Sequence, residues 1–182
     1  PPVGWAEINN GNSLGWEIGS LNADAAFHDD FTGFNDNSVV SSAVDLSTAT
    51  GAWLHCDQNV YYASWRDHHY IDISLDGGNT FTNIHDDFSG DGNSTMTVDL
   101  SAFGGVNSLN LSFHYTGDYA SEWTVDDVLI DDSPNPPPPG ILTTAVNPAN
   151  GHTYHLLEST TWTEAEAGAV ILGGHLATVR DQ

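Results

Sequence analysis

The chain has 182 residues, 39% of them hydrophobic and six of them tryptophan, enough to bury a core in one ordinary domain plus a smaller piece. Its charge is lopsided: 25 acidic residues face two basic ones, Arg66 and Arg180, and the formal charge of −23 repels nucleic-acid phosphates and anionic lipid. One cysteine excludes an internal disulfide framework, and no run approaches the ~20 apolar residues that span a bilayer. The acidity reads as a solvated surface suited to salty or divalent-rich surroundings, with carboxylates able to take a hard cation such as Ca²⁺. The chain opens on Pro1-Pro2-Val3-Gly4-Trp5, with neither initiator methionine nor signal peptide, and closes just after an apparent strand. Both ends read as cut from something longer.

In chain order, Val39-Val40 to Leu46 and Tyr61 to Trp65 are the first predicted strands. Ile71, Ile73 and Leu75 alternate with Tyr70, Asp72 and Ser74, which predicts a half-buried strand. Asp76-Gly77-Gly78-Asn79 then turns into Thr80-Phe81-Thr82, a hairpin pattern. Met96, Val98 and Leu100 alternate before Gly104-Gly105. Leu109, Leu111, Phe113 and Tyr115 form the longest clean alternation. Trp123 and Val125 share one face, whereas Val128 and Ile130 are one residue out of phase, so a β-bulge is expected at Asp126-Asp127. No segment here has a helical period, and the expectation is a mostly β fold, an antiparallel β-sandwich or jelly roll over residues 1–132.

Residues 133–140 contain four consecutive prolines and read as a semi-rigid polyproline spacer. Residues 141–182 change character. Gly151 to Leu157 predicts a strand. Thr161 and Glu164 make a capping box, and Trp162, Ala165, Ala169 and Leu172 fall on one helical face. Gly173-Gly174 ends the helix, and His175 to Val179 resumes as a strand. This short β-α-β segment has too little core to stand alone.

Two resemblances emerge from these stretches. Pro2-Val3-Gly4-Trp5 through Gly15-Trp16, the hairpin Ile73 to Phe81, Thr97-Val98-Asp99-Leu100-Ser101 and Trp123-Thr124-Val125-Asp126-Asp127-Val128 occur in the order found in MAM-like, cleaved-adhesin-type jelly rolls. The acidic-aromatic first strand of that family is missing, so a neighbouring strand is expected to lack its partner. The stretch Gly151 to Val179 resembles the start of a bacterial C-type lectin domain, without the later loops that bind Ca²⁺ and sugar.

The resemblance implies a Ca²⁺ site near Asp126 and Asp127, with Asp36 in the Phe34-Asn35-Asp36-Asn37 turn as a further ligand. The alternative is that the two aspartates cap backbone amides at the bulge without metal. Asn9 to Ser13 reads as a turn. His55 and Cys56 with His68 and His69 do not make a zinc site, because adjacent strand residues point to opposite faces. Cys56 reads as a small buried hydrophobe, and Arg66 as the partner of Asp67 or Asp72. Trp53, Tyr61, Tyr62, Trp65 and Tyr70 could form a glycan platform, with core packing as the default unless several prove exposed together. No protease, esterase or phosphate-loop motif is present. The expected function is a secreted, non-catalytic adhesion or structural module. It binds surface glycans or proteins, or assembles with itself into filaments by strand complementation. The alternative is an accessory domain of a secreted hydrolase or protease.

Overall fold

The computed structural model describes residues 4–10, 14–18, 25–64, 66–88, 90–134, 140–159 and 162–177. The chain divides into two units, residues 1–134 and 135–182.

The first unit is an antiparallel sandwich. One sheet holds β1 (Ala6–Asn9), β4 (Phe34–Val40), β9 (Asn110–Asp118), β6 (His68–Ser74) and β7 (Thr82–Asp87), in that order. The other holds β2 (Glu17–Ile18), β3 (Ala26–His28), β10 (Glu122–Asp131), β5 (Trp53–Tyr61) and β8 (Gly92–Asp99). Alternation sets the core as expected: Leu109, Leu111, Phe113 and Tyr115 are all buried, as are Met96, Val98 and Leu100. Trp123 lies at the centre, edge-on to Trp16 (centroids 5.3 Å apart) and to Phe113 (6.1 Å). The β6–β7 hairpin forms where the Asp-Gly-Gly-Asn turn predicts it, with Ile73 opposite Thr82. Leu75 lies beyond the strand and is exposed. Asp76 ties the turn by accepting from the Asn79 and Thr80 amides at 3.1 and 2.9 Å.

The bulge in β10 is present. Asp126 faces Asp57 and Leu129 faces His55, so Asp127 and Val128 together oppose one residue. Asp127 absorbs the extra residue with φ 48°. Val128 is half exposed rather than part of the inner face, whereas Ile130 packs against the core.

Three boundaries differ from expectation. The strand predicted from Val39-Val40 to Leu46 ends at Val40, with only an isolated bridge between Val44 and Leu109 beyond it. Tyr61 to Trp65 is not a strand: β5 ends at Tyr61 and Tyr62 turns away at φ 62°, while Trp65 lies outside the described residues. Phe34 to Asn37 is not a turn but the start of β4. In both strands polar residues point inward: Asn35 and Asn37 on β4, Gln58 on β5.

In the second unit, β11 (Ile141–Val146) pairs with β12 (Thr153–Leu157), followed by α1 (Trp162–Ile171). β11 was not anticipated. The helix ends at Gly173, φ 83°, with the Gly174 amide donating to Ala169 O at 2.8 Å. His175–Ala177 is not strand; Thr161 of the capping box, Thr178–Val179 and Asn135–Pro139 of the spacer lie outside the described residues. Trp162 and Leu172 of the predicted helix face are exposed.

Candidate functional site

Strand registers bring one set of connections to a common end of the sandwich. Phe34 pairs with Asp118, His68 with Thr116 and His69 with Asp87 in one sheet. Glu122 pairs with Tyr61, Val60 with Gly92 and Trp123 with His28 in the other. The connections 29–33, 62–67, 88–91 and 119–121 therefore share one end, and the 119–121 link joins the two sheets there.

Beneath this end the interior is polar. Asp30, buried, accepts from Tyr115 Oη at 2.9 Å, from the Ala120 amide at 3.1 Å and from Asn35 Nδ2. Asn37 Nδ2 lies 3.0 Å from His28 Nε2, and His69 Nε2 lies 2.8 Å from Ser121 Oγ. Gln58 accepts from Trp123 Nε1 at 2.9 Å and donates to Asp87 at 2.7 Å. Burial pushes the His28 pKa down to about 4, with His69 adding to the effect, and burial lowers His69 as well. Both rings are neutral at pH 7. Burial, with Asp30 nearby, pushes the Tyr115 hydroxyl well above its ordinary value. The network ties two of the four connections to the core, 29–33 through Asp30 and 119–121 through Ala120 and Ser121, while His28 Nδ1 and Asn37 Oδ1 are buried in it without a hydrogen-bond partner.

On top of the network the surface is aromatic. Phe31, Phe34, Tyr61, Tyr62, Phe88 and Tyr119 are all exposed, and all belong to this end. The other exposed large apolar residues described in this unit, Leu75, Val128 and Leu129, are aliphatic and lie elsewhere. Among the described residues other than glycine, positive φ occurs at Tyr62 (62°), Tyr119 (51°) and Asp127 (48°). A bulky side chain in the left-handed region is strained, and such strain collects at functional sites. Two of the six aromatics are held out by it. Between connections 62–67 and 88–91 lies a cavity of about 230 Å³, lined by Ser64, Asp67, His69, Asp87, Phe88 and Gly90. Of the residues expected to form a platform, Tyr61 and Tyr62 are exposed here, while Trp53 and Tyr70 are half-buried. The exposure of several aromatics together reverses the packing default.

The aspartates singled out from sequence are not brought together. Asp36 alternates with the buried Asn35 and Asn37 and points away from the core, where His114 Nε2 meets it at 3.0 Å. His114 Nδ1 meets Asp72 at 2.7 Å. With a carboxylate at each nitrogen both must donate, so the ring is an imidazolium. Burial opposes the charge, but the bonds to Asp72 and Asp36 outweigh it and hold the pKa above the ordinary value. Asp126 and Asp127 sit on the other sheet, and Asp126 Oδ1 accepts the Asp127 amide at 2.9 Å, the bulge-capping arrangement. They flank a cavity of about 220 Å³ whose other lining includes Trp5, Phe113, Val125 and Val128. Ca²⁺ requires six to eight oxygens. The side chains of that apolar lining supply none, and no group of three or more His, Cys, Asp or Glu able to hold a metal exists among the described residues.

His68 and His69 do face opposite ways: His68 stacks on Tyr70 (4.9 Å) outside, while His69 packs against Trp123 (4.8 Å) inside. Cys56 is buried, and burial raises its thiol pKa. Asp72 is bonded by His114 and by Asn83 Nδ2 (2.9 Å).

No family model matches the chain, and no curated protein matches it. Solved structures do. The K1 cleaved adhesin domain of Lys-gingipain from Porphyromonas gingivalis is similar at TM-score 0.58 and 18% identity, covering 73% of this chain and 93% of that one. The K3 domain of the same protein gives 0.57 and 17%, covering 72% and 93%. A family 11 carbohydrate-binding module from Clostridium thermocellum, in complex with a β-1,3-1,4-mixed-linked tetrasaccharide, gives 0.50 and 10%, covering 70% and 88%. At these identities the likeness is one of fold: the sandwich is the fold of cleaved adhesin domains and of carbohydrate-binding modules.

Proposed function

We propose that the sandwich is a non-catalytic, extracellular glycan-binding module of the adhesin kind, with its binding surface at the aromatic end. One observation carries this reading: six exposed aromatic side chains gather at a single end, two of them on left-handed backbone, above a buried polar network. Aromatic faces stack on the apolar faces of sugar rings, and a preformed platform loses little entropy on binding. Adhesin domains and carbohydrate-binding modules as fold neighbours support the reading. The charge of −23 disfavours sulfated, sialylated and other anionic glycans. Glycan-array screening followed by calorimetry tests it. Tyr62→Ala and Phe88→Ala should each weaken binding several-fold with the melting temperature unchanged, since both side chains are exposed. Undiminished affinity in the double variant would refute the assignment of the surface.

A second role, self-association, is favoured by the second unit. Every residue of β11 is exposed, and Leu142, Val146, Leu156, Trp162, Val170 and Ile171 present large apolar surface. Such surface is ordinarily covered by a partner. Light scattering across a concentration series should show oligomers dispersed by Leu142→Glu. A monomer throughout would remove this role and leave the glycan reading intact.

A further inference from the structure

We infer that β11 is a pairing edge for a second copy of this chain: two β11 strands join antiparallel, so that two hairpins become one four-stranded sheet. The inference rests on the self-association reading and names its contact.

The other sheets of the chain have guarded edges. Their outer strands all carry carboxylates: Glu7 on β1 and Asp86 and Asp87 on β7 in one sheet, Glu17 on β2 and Asp99 on β8 in the other. Charge on an edge strand discourages another strand from docking there. β11 is built differently. Its sequence is Ile-Leu-Thr-Thr-Ala-Val, without charge, proline or glycine, and all six residues are exposed. Among the described residues its one strand neighbour is β12, and a register shift at Leu142 leaves Thr143 to Val146 as the regular stretch. The outer side of that stretch offers the N–H and C=O groups of a sheet edge, and what such a row specifies is another extended backbone. β12, the other edge of the hairpin, carries the ionisable His155.

Charge then selects which strand docks. Only four of the 25 acidic residues, Glu158, Glu164, Glu166 and Asp181, fall in the second unit, where Arg180 offsets one of them. Nearly all of the −23 therefore sits on the sandwich, which keeps sandwich from sandwich while second units meet with little repulsion. Antiparallel pairing over the regular stretch sets Thr143 opposite Val146 and Thr144 opposite Ala145, uncharged pairs that the two-fold makes twice. A lone two-stranded hairpin is marginal in water, whereas a sheet of three or more strands with an apolar face is not.

Sedimentation velocity and hydrogen–deuterium exchange on the full chain test the pairing, from about 1 to about 100 μM protein. The expected result is a monomer–dimer equilibrium. In it the outward amides of Thr143 to Val146 exchange at least about tenfold more slowly at the higher concentration. Raising ionic strength from ~0.01 to ~0.15 M should strengthen the dimer, because the contact is uncharged and the sandwiches repel. Thr143→Glu and Ala145→Glu should each weaken dimerisation about tenfold or more, by giving β11 the charge that the sandwich edges carry. If one variant unfolds the hairpin, the other and the salt series on unmodified protein decide. Dimers whose β11 amides exchange as fast as the monomer's would overturn strand pairing and uphold self-association through apolar side chains. Dimers that dissociate as salt rises would overturn it equally. A monomer under every condition would overturn both the pairing and the self-association, leaving glycan binding intact.

Discussion

Replacing Asp30 by alanine tests whether the polar interior is what holds the aromatic end. The carboxylate satisfies three donors: the Tyr115 hydroxyl, the Ala120 amide and the Asn35 side-chain amide. Orphaning a buried donor costs about 1–3 kcal/mol. Three together predict a loss of about 3–9 kcal/mol, a large share of the ~5–15 kcal/mol that stabilises a domain. At roughly 3–5 °C per kcal/mol for a unit of this size, the melting temperature should fall by at least about 10 °C. Tyr115→Phe removes one donor and leaves Asp30 with two, so it should cost only about 1–2 kcal/mol. Urea unfolding followed by tryptophan fluorescence reports both, since Trp123 and Trp16 are buried in the same core. The expected result is a shifted midpoint at constant slope. Ala120 follows Tyr119, so the alanine variant should also weaken glycan binding at temperatures where it is still folded. An Asp30→Ala protein as stable as Tyr115→Phe would show that water replaces the carboxylate, and the rigidity argument would fail.

Other outcomes follow from the same geometry. His28 and His69 have folded pKa values below the ordinary 6.5, so their contribution is present above that pH and lost as pH falls through the folded values, which for His28 is about 4. His114 has a raised value; its contribution is complete below 6.5 and lost as pH rises through its folded pKa, so His114→Gln should flatten the alkaline limb of a melting-temperature profile. Asp127→Gly suits φ 48° and should leave stability equal or higher by up to about 1 kcal/mol, whereas Asp127→Val should lower it. Calcium should not raise the melting temperature; a rise abolished by Asp126→Asn would restore a cation to the bulge. Raising ionic strength from ~0.01 to ~0.15 M should increase thermal stability by screening self-repulsion.

Much of the sandwich was legible because apolar alternation is a local signal. Leu109 to Tyr115 announces a strand buried on one face, and the phase slip between Val125 and Ile130 announces the bulge before any coordinates. β5 was illegible for a physical reason: its inward set is Leu54, Cys56, Gln58 and Val60, and Gln58 breaks the pattern. Gln58 is tolerated inside because Trp123, Asp87 and Ser94 satisfy it, and those partners come from three other strands. Asn35 and Asn37 disguised the start of β4 as a turn in the same way. The predicted aspartate trio is divided in the fold, because Asp36 and the bulge pair belong to different sheets. The aromatic end was half visible: Tyr61 and Tyr62 were noticed, but Phe31, Phe34, Phe88 and Tyr119 join them only through pairings between residues far apart in sequence. The left-handed backbone of Tyr62 and Tyr119 leaves no trace in residue type.

The direction of the first and last strands of the sandwich has a practical corollary. Ala6 pairs with Val40, and β10 runs from Glu122, beside Tyr61, to Asp131, beside Trp53. The polypeptide thus enters and leaves this unit on the side remote from the rings, like a lamp wired through its base. Coupling the domain to a bead or chip through either terminus points the rings toward solution, and flanking modules of any length can be spliced on without cutting the loops that carry them.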